Sequence, residues 1–173
     1  MSKEEKKVNR RDFLFTASYT IGAVGVGAVV WPLVHQMNPD KAQQALATIE
    51  VDISQVEPGN SITVLWRGKP VFLKKRTPEE ITEARAVSLT ELPDPQKDED
   101  RVKEGKNEWL VMLGVCTHLG CVPLKDKGDY NGWFCPCHGS HYDGSGRIRK
   151  GPAPKNMEIP KFEFVDSNII KIG

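Results

Sequence analysis

The sequence predicts a mainly β protein with a single N-terminal transmembrane helix, followed by a small antiparallel β-sandwich that carries one inserted helix. Three observations predict it. No formally charged side chain stands between Asp12 and Asp40, short apolar runs later in the chain are separated by Gly- and Pro-rich turns, and Thr77-Pro78-Glu79-Glu80 reads as a helix start. The 173 residues, 39% of them hydrophobic, suffice for one membrane segment and one compact domain. With 24 basic against 23 acidic residues the net charge is +1, which offers no large one-sign field and excludes nucleic acid as the partner class.

The first element is residues 13–35. A helix of that length crosses a hydrocarbon core of about 30 Å at roughly 1.5 Å per residue. Gly22, Gly25 and Gly27 leave a smooth face for a neighbouring helix, which favours an anchor within a bundle. Lys3, Lys6, Lys7, Arg10 and Arg11 precede the span and Trp31 stands near its end. By the positive-inside tendency residues 1–12 stay cytoplasmic and the body of the protein lies across the membrane, outside the cell. Asn9-Arg10-Arg11-Asp12-Phe13-Leu14 looks like a twin-arginine export signal, with Phe15 where such signals often carry lysine. Ala45-Leu46-Ala47 has the small residues of a peptidase site but lies well beyond the apolar run, so the anchor is expected to stay uncleaved.

Residues 36–47 are short, polar and Ala-rich and read as a flexible hinge leading into a domain over 48–173. Strands are expected at 48–53, 61–66 and 71–75, the last two joined by a turn at Arg67-Gly68-Lys69-Pro70. Thr77 as cap, Pro78 at the first helical position and Glu80 at the third place a helix from Pro78 to about Ala86. The charge-dense stretch from Asp94 to Glu108 is expected to be a solvated loop. Further short strands follow at 109–115, 132–134, 147–148, 163–165 and 169–172, with Trp66, Trp109 and Trp133 in the core.

The chemistry sits in two boxes, Cys116-Thr117-His118-Leu119-Gly120-Cys121 and Cys135-Pro136-Cys137-His138-Gly139-Ser140, which hold all four cysteines. Each box offers one thiolate and one neutral ring nitrogen. A Cys₂His₂ set suits tetrahedral zinc or a [2Fe–2S] cluster with cysteines on one iron and histidines on the other, and ligand count does not choose. Each box keeps a surplus cysteine, Cys121 and Cys137, in a compartment where disulfides persist, and a bridge between them would clasp the boxes. Ser140 and Tyr142 carry hydroxyls placed to donate hydrogen bonds to sulfur, which makes a cluster easier to reduce.

At these residues the sequence resembles the Rieske family, and within it the bacterial iron–sulfur subunits of quinol–cytochrome c reductases. The likeness runs on through Tyr142, the turn Gly144-Ser145-Gly146-Arg147, and Gly151-Pro152-Ala153-Pro154, which looks like that family's proline loop. The resemblance implies a Rieske-type sandwich with a small cluster-binding subdomain at about 115–154 and one [2Fe–2S] cluster per chain. It implies Cys116 and Cys135 on the inner iron, His118 and His138 on the outer one, and a Cys121–Cys137 disulfide. Ser140 would bond a bridging sulfide and Tyr142 the Cys116 sulfur, while Leu119 and Gly120 would line a docking surface.

Replacing two anionic thiolates by neutral rings makes such a cluster easier to reduce, with potentials from about −150 to about +300 mV against about −400 mV for plant-type all-cysteine centres. Quinol can then be the donor. The iron's charge lowers the pKa of a ligating ring's remote N–H and reduction raises it, which couples electron and proton uptake. That coupling makes His138 the expected acceptor of the ubiquinol proton, and the resemblance implies that the chain is a subunit of an enzyme. Its partners would be a cytochrome b subunit, which takes the second electron, and a c-type cytochrome subunit, in a dimeric complex of the bacterial inner membrane. A structural zinc module, an oxygenase-type ferredoxin, an arsenite-oxidising subunit and a plastoquinol-oxidising subunit fit less well. Zinc does not explain the hydroxyls and the bridge, ferredoxins of that type lack the anchor and the second cysteine pair, and the helix-bearing insertion leans against the other two.

Overall fold

The computed structural model describes residues 9–39 and 47–173, which fall into two units, residues 1–44 and 45–173. Lys3, Lys6 and Lys7, most of the expected hinge, and Ala45 and Leu46 of the peptidase-like triplet lie outside the described residues.

In the first unit α1 runs over Arg10–His35, 26 residues, beginning three residues before the expected start. It is long and apolar enough to cross a membrane by length and composition. Its hydroxyls do not contradict that. Thr16 Oγ1 donates to Asp12 O and Thr20 Oγ1 to Thr16 O, both at 2.8 Å, so these two hydroxyls are satisfied within the helix.

Among the described residues the second unit is built from ten strands and one α-helix. β1 (Ile49–Asp52), β10 (Ile169–Ile172) and β9 (Phe162–Phe164) form one antiparallel sheet. β2 (Ser61–Trp66), β3 (Lys69–Lys75) and β4 (Trp109–Leu113) form a second. β5 (Leu124–Lys125), β6 (Trp133–Cys135), β7 (Ser140–Tyr142) and β8 (Ile148–Lys150) form a third.

β4 is buried at all five positions, and its alternation explains why. Trp109, Val111 and Leu113, with Val71 and Leu73 of β3, enter a core shared with β1, β9 and β10. Leu110 and Met112, with Phe72, point to the opposite face and enter a second core with Trp133, Tyr142 and Ile148. A strand covered on both faces reads as an unbroken apolar run, and this middle sheet feeds two cores at once. Phe72 and Trp133 stack at 4.4 Å between centroids, tying the middle sheet to the third.

Four sequence expectations need correction. The first hairpin turns on Arg67 and Gly68 alone, both at positive φ, so Lys69 and Pro70 already belong to β3. β5 and β7 were not foreseen, because two- and three-residue strands carry too few side chains to show a period. Trp66 is half-buried rather than central, donating its indole N–H to Ala47 O at 2.9 Å. The fourth concerns the charged stretch.

The helix α2 (Pro78–Ala86) falls where expected, with both capping-box bonds made: Thr77 N to Glu80 Oε2 at 2.9 Å and Glu80 N to Thr77 Oγ1 at 3.3 Å. The segment after it is not simply solvated. Asp98 and Arg101 are buried, and Asp98 accepts from Arg76 Nη1 at 2.6 Å and from the Ser145 hydroxyl. Arg85 Nε stands 3.5 Å from the same carboxylate. Arg101 Nε donates to Ser145 O and its Nη2 to Met157 O, both at 2.7 Å. Burial lowers the Arg101 guanidinium to about 10, and it stays charged at neutral pH.

Burial pushes the Asp98 carboxyl up, but the hydrogen bonds from Arg76 and Ser145 and the charges of Arg76 and Arg147 outweigh it and hold it below the ordinary 3.8. A depressed carboxyl stabilises the fold above its unfolded pKa, and that contribution is lost as pH falls through the folded one. Thermal unfolding followed downward from about pH 5 is therefore expected to show stability dropping chiefly below about pH 3.8, with a shallower drop in Asp98→Asn.

Candidate metal centre

Each box folds as a turn that starts on its first cysteine. Gly120 N donates to Cys116 O at 2.9 Å and Gly139 N to Cys135 O at 3.0 Å, with both glycines at positive φ. Cys116 N donates to Cys121 O at 2.7 Å, closing the first box on itself. The two turns thus present Cys116 and Cys135 in equivalent places, both buried and both free thiols.

Cys121 and Cys137 form a disulfide between the boxes, with Cα atoms 6.7 Å apart. The Cys121, Cys135 and Cys137 sulfurs lie within 4.8 Å of one another, but two are consumed by the bridge and do not act as a thiolate trio. His118 and His138 meet edge to face with ring centroids 4.6 Å apart. Among the described residues the buried Nδ1 of His118 has no hydrogen-bond partner, while His138 is exposed.

Around the thiols the donors converge on one sulfur. The Tyr142 hydroxyl donates to Cys116 Sγ at 3.3 Å and accepts from Thr117 N at 3.2 Å. Burial first, and then the Cys116 sulfur, push the Tyr142 phenol up to about 12, so it remains a donor. Burial also pushes the Cys116 thiol up, but hydrogen bonds from Tyr142, the His118 backbone, Cys135 and Ser140 outweigh it and leave it lowered. Cys135 moves upward, by burial first with the Cys116 sulfur adding to it, against a hydrogen bond from the Cys137 backbone. A cation held between the two sulfurs would favour the ionised form of both. Two buried thiols, a buried ring nitrogen left unpaired and an adjoining second ring are a donor set that fits a [2Fe–2S] cluster with mixed ligands.

A lid of backbone closes the site from the side. Ala153 N donates to Ser140 Oγ at 3.2 Å, and Thr117 Oγ1 donates to Lys155 O at 2.6 Å. Gly151 has φ +105°, and a Cβ there would stand 2.5 Å from Gly139 O and 2.6 Å from Ser140 Cα. Gly151→Ala is therefore expected to lift residues 151–154 off the second box, costing about 1–3 kcal/mol and speeding amide exchange at Ala153, as hydrogen-exchange measurement would report. Sequence reasoning missed Thr117 and Lys155 as tethers of this loop, since a backbone carbonyl as acceptor leaves no mark on residue identity.

Residues 49–163 match the family model described as Rieske [2Fe-2S] domain. The chain belongs to that family. Residues 1–40 match the model described as Ubiquitinol-cytochrome C reductase Fe-S subunit TAT signal. The ubiquinol-cytochrome c reductase iron-sulfur subunit of Rickettsia felis is 52% identical over 98% of this chain and 96% of its own length. That of Blastochloris viridis is 54% identical, covering 99% and 97%. Among solved structures, a chain of a hyperthermophilic respiratory Complex III is similar with TM-score 0.54 and 28% identity, over 90% of this chain and 97% of that one. As a Rieske protein the chain carries a [2Fe–2S] cluster as its cofactor, and its fold is the mainly β one read from the sequence.

Proposed function

We propose that the chain is the iron–sulfur subunit of a ubiquinol–cytochrome c reductase. The observation that carries this reading is a buried thiol pair next to a histidine ring that stays exposed, which puts a redox centre within reach of a bound partner. The name shared by relatives at 52% and 54% identity over nearly their whole length supports it.

Cys116 and Cys135 would hold the inner iron and His118 and His138 the outer one, His118 through the Nδ1 now unpaired. Bound there, a [2Fe–2S] cluster supplies one-electron acceptance and release at a potential raised by its two neutral ligands. The remaining work falls to the chain. Tyr142 donates to the Cys116 sulfur, Ser140 keeps its own hydrogen free for sulfur while accepting from Ala153, and the Cys121–Cys137 bridge holds the boxes together. His138 accepts a hydrogen bond from the ubiquinol hydroxyl and takes its proton. Leu119, 71% exposed beside the rings, and Gly120 offer an apolar surface for docking.

The partners would be a cytochrome b subunit, which receives the second electron, and a c-type cytochrome subunit, which receives the first, within a dimeric complex. Arg10 and Arg11 ahead of the span and the export-signal match support a cytoplasmic N-terminus and a periplasmic domain at a bacterial inner membrane. In this reading residues 1–12 are cytoplasmic, 13–35 the anchor, 36–47 a hinge, and 48–173 the Rieske domain with its cluster subdomain at about 115–154.

Electron paramagnetic resonance of the dithionite-reduced, membrane-bound protein tests the ligand set. The expected spectrum is that of a histidine-ligated [2Fe–2S] centre, which also appears when ubiquinol is added to the oxidised protein and is bleached by oxidised cytochrome c. Zinc in place of iron gives no signal, and an all-cysteine spectrum removes His118 and His138 from the site.

A further inference from the structure

Among the buried polar side chains outside the metal centre, six gather around one turn: Arg76, Asp98, Arg101, Asp143, Ser145 and Arg147. Three guanidinium groups stand against two carboxylates. Replacing such a buried set by apolar residues is often neutral or stabilising, so fold stability alone does not account for keeping it. What the set does is geometric. Asp143 Oδ1 accepts from Ser145 N and Arg147 N, both at 3.0 Å, and its Oδ2 from Arg147 Nε at 2.8 Å. Arg101 pins the same turn through Ser145 O, and Asp98 pins it through the Ser145 hydroxyl while held itself by Arg76.

That turn begins at the residue after Tyr142. β7 has three residues, and its register against β8 shifts between His141 and Tyr142, so the ladder is irregular where the phenol ring must be aimed. Pairing with Trp133 fixes one side of Tyr142, and the other side is fixed by the pinned turn.

We infer that Asp98, with the ion pairs around it, is a positioning residue for the Tyr142 hydroxyl and thereby helps to set the reduction potential of the centre. A hydrogen bond to a ligating sulfur favours the reduced, more electron-rich state, so a loosened Tyr142 lowers the potential. The inserted segment that bears α2 and Asp98 thus serves the electron-transfer step from behind the site. This rests on the assignment of Tyr142 given under Proposed function.

Redox titration of the reduced-state resonance, in the assembled membrane-bound protein with iron and sulfide content matched, reads the effect directly. Asp98→Asn is expected to shift the potential downward, in the direction of Tyr142→Phe but less far, with altered g-values. The charge-neutral Ser145→Ala is expected to do the same and decides the matter if Asp98→Asn does not accumulate. In the double variant with Tyr142→Phe, each is expected to add no further shift. A wild-type potential in Ser145→Ala, a raised one in Asp98→Asn, or a shift that persists undiminished beside Tyr142→Phe overturns the inference, a raised potential in Asp98→Asn pointing to a through-space charge effect. If Tyr142→Phe itself leaves the potential unmoved, the Tyr142 assignment falls and this inference with it, whereas a shift in Tyr142→Phe alone removes only the role of Asp98.

Discussion

Serine in place of Cys116 or Cys135 is expected to yield a colourless protein with no reduced-state resonance and quinol-to-cytochrome c turnover below about 1% of wild type. Loss of an outer-shell partner of a metal typically costs roughly 10- to 100-fold in affinity or activity, and loss of a ligand should exceed it. Both thiols are buried, and the nearby Cys121 and Cys137 sulfurs are tied up in their bridge. The disulfide between Cys121 and Cys137 should survive in these variants, and thiol titration of the unfolded protein would count it. Colour and turnover retained in Cys116→Ser would remove that residue from the ligand set and with it the equivalence of the two box turns.

Opening the bridge should act differently. The Cys121–Cys137 bond spans a sequence separation of 16, and chain-entropy reasoning for a closed loop of that size gives about 3 kcal/mol. The double variant Cys121→Ser with Cys137→Ser keeps every proposed ligand, so a cluster should still assemble. Its loss on heating, followed by visible absorbance, is expected to begin on the order of 10 °C lower than in wild type. A cluster as heat-resistant as before would mean that other contacts hold the boxes together, and the division into ligands and bridge would have to be redrawn.

Much of the fold was legible because the residues in question speak locally. Thr77, Pro78 and Glu80 specify a helix start by bonds made within four residues, and α2 begins and ends where they place it. The paired boxes were legible for the same reason, since cysteine and histidine at fixed spacing have few uses outside metal or redox chemistry. The charged stretch around Asp98 and Arg101 was not legible. Its residues are of the types that normally face water, and their burial depends on Arg76, Ser145 and Met157, which approach from up to 56 positions away. Trp66 misled for a related reason. A tryptophan in a strand suggests a core, but this indole lies at the end of a hairpin and spends its N–H on Ala47.

β3 and β4 contribute alternate side chains to both cores, so the platform beneath the two boxes and the base of the domain share the same two strands. Such common walls leave no seam along which one half could shear past the other. If this body is carried between a donor and an acceptor, it travels as a single solid, and only the gap to each exchange partner varies along the way. In that case the electronic tuning of the iron pair would stay constant in transit, because the groups proposed to perform it ride on the same scaffold.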